Sequence, residues 1–133
     1  FRLALAPYQI TPVQCGVLNS LYKEDGLGLK TLCDVLAVNA STMTGIVDRM
    51  EARGLVERRP DPTDRRALAI LLTDKGRSLE SVTAQLIQES NAFALQGFSE
   101  EQAAELRDML IELAERATAQ PPQQQQEPEQ AIR

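Results

Sequence analysis

Apolar side chains recur at helical spacing along most of the chain, and the rhythm gives way between residues 55 and 73 to two short β-prone runs. Phe1, Leu3, Leu5 and Ala6 read as the end of a helix stopped by Pro7. Ile10-Thr11-Pro12-Val13-Gln14 then predicts a fresh start. Thr11 is the N-cap, Pro12 takes the first helical position and Gln14 completes a capping box, with Ile10 and Cys15 placed as a hydrophobic staple. This helix runs to about Glu24 with Val17, Leu18, Leu21 and Tyr22 inward, and Asp25-Gly26 ends it. Gly28 precedes a second helix over 29–37, whose Leu32, Val35 and Leu36 are expected to face the core. After the turn Ala37-Val38-Asn39, Asn39 caps a helix beginning at Ala40.

In that helix Met43, Ile46, Val47 and Met50 fall on one face and Ser41, Thr42, Thr44, Gly45, Asp48 and Arg49 on the other. Gly54 closes it as a C′ residue after Arg53. Leu55 to Arg59 and Leu68 to Thr73 are the β-prone runs, and Pro60, Pro62 and the aspartates between them force a projecting turn with Arg65 and Arg66 near its tip. Thr73 caps one long helix expected from Asp74 to about Gln96, with Leu79, Val82, Leu86 and Phe93 spaced along it. Ser99 to Gln102 is another capping box, and the helix behind it carries Leu106, Met109, Leu110, Leu113 and Ala117 in a seam suited either to a partner helix or to packing within the chain. From Gln120 onward the sequence PPQQQQEPEQAIR has too little apolar surface to offset the entropy of ordering and is read as a disordered tail.

A short-chained polar helix face followed by a ribbon with arginines at its tip suggests nucleic acid. Hydroxyls on such a helix can reach base edges or phosphates in the major groove, and guanidinium groups on a ribbon can enter the minor groove. Either feature alone is also what an ordinary solvated surface looks like. Arg53, Arg58 and Arg59 are equally placed to pair with Glu51, Glu57 or Asp61.

Length, composition and charge narrow this reading. At 133 residues, 43% hydrophobic and 4% aromatic, the chain suits one mainly helical domain or one lobe of a dimer. The net charge of −5 argues at first against nucleic acid, but residues 27–76 carry eight basic and seven acidic groups while residues 77–133 carry four and ten. The acidity lies away from the reading head, so phosphate contact is open, with salt-sensitive binding. There is no histidine, and Cys15 and Cys33 make no metal set; no triad, carboxylate pair or phosphate loop suggests an enzyme or a cofactor. Both cysteines fall near apolar stripes, where the residue behaves as a small hydrophobe rather than as an oxidant sensor. No run of about 18 apolar residues and no signal-peptide pattern occurs, so a cytoplasmic protein is expected.

The joined run GLVERRPDPTDRRALAILLTDKG, behind a polar-faced helix, resembles the winged helix-turn-helix of MarR-family bacterial transcription regulators, and the resemblance extends from about Pro7 to about Thr118. It implies a mainly α fold with a two-stranded β-ribbon wing. Residues 1–26 would belong to a dimerisation and core region, 27–76 to the DNA-binding head, 77–119 to C-terminal dimerisation helices, and 120–133 to the tail. The family's first helix is longer, so the chain is expected to be shortened at its N-terminus. Ser41, Thr42 and Thr44 would approach the major groove, Arg49 a base or phosphate, and Arg65 and Arg66 the minor groove, with Asp64 holding Arg66. Some relatives carry an arginine where Gly45 stands here, so direct base readout is expected to be thin. Many helix-turn-helix proteins have glycine where Ala37 stands. The resemblance further implies a homodimer on a pseudo-palindromic operator, repression more readily than activation, and release by an oxidant or by a small aromatic or phenolic effector. A winged-helix protein-interaction module that has lost DNA binding is the alternative.

Overall fold

The computed structural model describes residues 1–118, so the tail expected over 120–133 lies outside the described residues. Residues 1–94 form one compact unit, and the described residues 95–118 belong to a second. The first holds α1 (Arg2–Leu5), a 3-10 turn (Ala6–Tyr8), α2 (Pro12–Lys23), β1 (Leu27–Gly28), α3 (Leu29–Leu36), α4 (Ala40–Ala52), β2 (Val56–Pro60), β3 (Leu68–Leu72), α5 (Asp74–Arg77) and α6 (Glu80–Ala94). The second contains α7 (Glu100–Thr118).

The helix starts obey their local signals. Thr11 Oγ1 accepts the Gln14 amide at 3.2 Å while Gln14 Oε1 accepts the Thr11 amide at 3.0 Å, and Pro12 opens α2 without needing a partner for an N–H it lacks. Asn39 Oδ1 takes the Thr42 amide at 2.9 Å and so starts α4. In the second unit Ser99 and Gln102 form the reciprocal pair that starts α7. The core is built where these helices cross: Val17, Leu18 and Leu21 of α2, Leu32 of α3, and Met43, Val47 and Met50 of α4 are all at most 1% exposed. Removing each such side chain from water contributes roughly 1.5–3 kcal/mol. Among the described residues, every fully buried hydrophobic side chain lies in the first unit.

Three expectations are corrected. The wing is not a lone two-stranded ribbon: β1 pairs antiparallel with β3 (Leu27 with Ile70, Gly28 with Ala69), giving a three-stranded sheet in the order β1-β3-β2. A two-residue strand is too short to leave a periodic signature. Asp25, read only as a helix stop, anchors that edge by accepting the Leu72 amide at 2.9 Å and the Gly26 amide at 3.1 Å and by pairing with Arg77. Val35 does not face the core and is 61% exposed. The stripe of α3 is Leu29, Leu32, Cys33 and Leu36, an i, i+3, i+4, i+7 set that leaves Val35 about a third of a turn away.

The third correction is the long helix. It divides at Ser78 and Leu79 into α5 and α6, where the Leu79 amide takes a tighter bond to the Gly76 carbonyl three residues back, at 3.3 Å, and two carbonyls of the turn also accept side-chain donors. Ser78 Oγ donates to the Lys75 carbonyl at 2.7 Å and Tyr22 Oη to the Gly76 carbonyl at 2.8 Å. Phe93, near the end of α6, is 74% exposed.

Gly76 and Ala37 each meet a specific backbone demand. A β-carbon on Gly76 would stand 2.1 Å from the Leu55 carbonyl oxygen, well inside contact distance, so glycine is required there. Ala37 sits in the left-handed region at φ 52°, ψ 44°, a conformation costing a non-glycine residue roughly 1–2 kcal/mol. Glycine would remove that cost at the expense of about 0.4–1 kcal/mol of unfolded-chain entropy. Ala37→Gly is therefore expected to raise the urea midpoint by a stabilisation of about 0.5–1 kcal/mol, and Gly76→Ala to lower it by several kcal/mol. An unchanged midpoint for Gly76→Ala would show that the Leu55 backbone can retreat.

Candidate nucleic-acid interface

The exposed side of α4 is a consequence of its buried side. With Met43, Ile46, Val47 and Met50 fixed in the core, Ser41, Thr42, Thr44, Asp48 and Arg49 are turned to solvent. Ser41 Oγ donates to Asn39 Oδ1 at 2.9 Å and Thr44 Oγ1 donates back to the Ala40 carbonyl at 2.8 Å. Both hydroxyls therefore present lone pairs outward, whereas the Thr42 hydroxyl has no partner among the described residues and is free to donate or accept.

Gly54, at φ +69°, reverses the chain out of α4 into β2. The hairpin keeps strict register from Val56 opposite Leu72 to Pro60 opposite Leu68, and beyond it the Asp61 amide donates to the Ala67 carbonyl at 3.0 Å. Asp61 Oδ1 gathers the tip, accepting the Thr63 hydroxyl at 2.6 Å and the amides of Thr63 at 2.8 Å and Asp64 at 3.3 Å. These bonds, the Thr63 hydroxyl first, hold the Asp61 carboxyl below its ordinary pKa. Asp64, expected to orient Arg66, meets it through the main chain. Its Oδ1 accepts the Arg66 main-chain amide at 3.0 Å, because two residues is the reach of an Asx turn. The residue shapes the tip and leaves the guanidinium free.

The arginines divide into committed and uncommitted groups. Arg58, whose side chain is 20% exposed, joins the wing to α4 through Asp48 at 2.7 Å and Glu51 at 2.6 Å, and Glu51 also accepts the Arg58 amide at 3.0 Å. Partial burial works against the Arg58 charge, and its hydrogen bonds to the Asp48 and Glu51 carboxylates outweigh it, so its pKa is raised. Arg59 pairs with Glu57 at 2.6 Å. Arg53 donates to the carbonyls of Tyr8 and Gln9, tying the end of α4 to the segment before α2. Arg49, Arg65 and Arg66 are exposed and have no ion pair among the described residues.

Arg58, Arg66 and Lys30, with Thr44, line a cleft of about 500 Å³ whose other walls include Leu29, Leu68 and Ile70. Sequence reasoning missed this meeting of cations and apolar walls, since Lys30 lies far in sequence from Arg58 and Arg66 and meets them through the packing of β1 and α3 on β3. Cys15 is buried and its thiol is pushed up by that burial, consistent with a packing role, while Cys33 is half-buried. No group of three or more possible metal ligands occurs among the described residues.

A capped helix backed by α2 and α3, and followed at once by a β-hairpin, defines a winged helix-turn-helix protein. The model of the MarR family matches residues 8–67. The chain is 40% identical over 80 residues to the HTH-type transcriptional regulator TtmR of Methylorubrum extorquens, a match covering 60% of this chain and 41% of that one. It is 32% identical over 112 residues to the HTH-type transcriptional regulator YsmB of Bacillus subtilis, covering 84% of this chain and 77% of that one. Among solved structures, the PcaV transcriptional regulator of Streptomyces coelicolor, in complex with its natural ligand, superposes with a TM-score of 0.75 at 28% identity over 87% of this chain and 84% of that one. The chain belongs to the MarR family, although its match spans less than half the length of TtmR.

Because the folded-state pKa of Asp61 is depressed, its contribution to the wing turn is present above the ordinary carboxylate range and is lost as pH falls through the folded value. An NMR titration of the Asp61 carboxyl is expected to show a midpoint below 3.8, and Thr63→Ala to move it upward. A midpoint unaffected by Thr63→Ala would mean that the turn is held by other bonds.

Proposed function

We propose that this chain is a sequence-specific DNA-binding transcription regulator that acts as a cytoplasmic homodimer and represses until a small-molecule or oxidant signal releases it. The observation that carries the reading is the juxtaposition, on one head, of the polar face of α4 with a wing whose Arg65 and Arg66 have no carboxylate partner among the described residues. In this reading α4 lies in the major groove with Ser41, Thr42, Thr44 and Arg49 toward bases and phosphates. The wing enters the adjacent minor groove with Arg65 and Arg66, where negative potential is concentrated. Asp64 contributes by setting the backbone of Arg66. The division into a head over 27–76 flanked by dimerisation segments over 1–26 and 77–119 belongs to the same proposal.

Dimerisation is supported by α7, on which Met109, Leu110 and Leu113 are 58%, 56% and 63% exposed. A partner copy would cover them, and two-fold symmetry would set the reading helices one turn of DNA, about 34 Å, apart. The effector reading is supported by the cleft beside Thr44. An aromatic anion there would find apolar walls and the cations Lys30, Arg58 and Arg66, and would compete with DNA for Arg66 and Thr44.

Fluorescence anisotropy on DNA from upstream of the chain's own gene, with excess unrelated competitor, tests the reading. Tight binding is expected for the parent, and Arg66→Ala should weaken it by about tenfold or more, corresponding to 1–3 kcal/mol. Binding that is absent, or weak on any DNA and indifferent to Arg66, would favour a protein-interaction module. In sedimentation the parent is expected to run as a dimer and Leu110→Glu/Leu113→Glu as a folded monomer.

A further inference from the structure

The exposed face of α4 carries a glycine at its centre. Gly45 stands opposite the buried row of Met43, Val47 and Met50, at a position where alanine would favour the helix by about 0.8–1 kcal/mol. Its place is occupied from the next turn: a β-carbon built on Gly45 would stand 3.4 Å from Arg49 Nη1. Side chains of a helix lean toward its N-terminus, so Arg49 lies back along α4 and rests its guanidinium over the bare backbone of Gly45. Gly45 is consequently half-buried on a face where its neighbours Thr44 and Asp48 are exposed.

A second observation is independent of the first. The carboxylates nearest Arg49 in sequence are Asp48 and Glu51, and both are taken by Arg58, at 2.7 and 2.6 Å. With those two acceptors engaged, Arg49 has no ion pair among the described residues, and its Nη1 lies within van der Waals reach of where a side chain on Gly45 would begin. Phosphates line the edges of a major groove and base edges form its floor, so a guanidinium over the middle of an inserted helix meets bases first.

We infer that Arg49 is the specificity-determining residue of α4, reading the O6 and N7 acceptors of a guanine, and that Gly45 is the recess that lets its guanidinium lie between helix and base. The inference rests on the proposed DNA-binding reading and assigns that reading its base pair. Arg58 acts as a positioning residue, since by occupying Asp48 and Glu51 it keeps them from capturing Arg49. Lysine is not equivalent here: it keeps the charge but lacks the planar pair of donors that matches guanine.

The test is selection of sites by the full chain from a random-sequence duplex library, followed by anisotropy on the selected site for the parent, Arg49→Lys and Arg49→Gln. The parent is expected to select a G·C pair at one fixed position in each half-site. Arg49→Lys should lose that preference and bind the selected site roughly tenfold more weakly, while its dependence on salt stays that of the parent. Arg49→Lys that keeps the preference, with Arg49→Gln weakening binding uniformly and reducing the salt slope by about one, would overturn the inference and make Arg49 a phosphate contact. A parent that selects no sequence at all would instead overturn the regulator reading. Unchanged circular dichroism and thermal midpoints are expected for both variants because Arg49 is exposed.

Discussion

The head depends on one close approach of two backbones at the foot of the wing. The chain leaves α4 at Leu55 and returns at Thr73, and there the Leu55 carbonyl accepts the Thr73 amide at 3.2 Å while Gly76 packs against it with no room for a side chain. Thr73 Oγ1 accepts the Gly76 amide and donates to the Gly54 carbonyl, and Lys75 Nζ donates to the Arg53 carbonyl at 2.8 Å. The end of α4, both ends of the hairpin and the start of α5 are thus closed on a few atoms. Tyr22 brings α2 into the same knot through the Gly76 carbonyl. These bonds fix the angle between helix and wing within the fold itself, and in the proposed DNA-binding reading such preorganisation lowers the cost of binding.

Charge is distributed by commitment as much as by number. The chain is net negative, and a count of arginines in the head would place six of them on DNA. Three are engaged internally: Arg58 as a clasp between wing and helix, Arg59 with Glu57, and Arg53 on main-chain carbonyls. A half-buried clasp of this type is worth more as geometry than as energy, since desolvation offsets much of the attraction. The uncommitted arginines lie at the wing tip and over the face of α4, the two places from which a groove can be reached.

Most of the architecture was legible from residue types because it is governed by local rules. The caps at Thr11, Asn39, Thr73 and Ser99 act within three residues, the stripe of α4 is a periodic signal, and the hairpin is announced by Pro60, Asp61 and Pro62. The errors fall where a distant group wins against local propensity. A single helix from Asp74 is the sensible local reading, and it is Tyr22, far away in sequence, that helps turn the Gly76 carbonyl aside. Val35 and Leu36 are equally apolar, and the packing of α3 on α2, where Leu36 meets Gly16, selects the stripe that covers Leu36 in part and leaves Val35 exposed.

The sequence by itself determined the order of the elements, where each helix begins, which face of α4 is apolar and which residues form the wing tip, because all of these depend on neighbours within a turn or two. Tertiary structure alone decided the third strand, the break before α6, the pairing of Arg58 with Asp48 and Glu51, and hence which guanidinium groups remain free. Those outcomes depend on distances between residues seven to fifty-four positions apart, which no local pattern encodes.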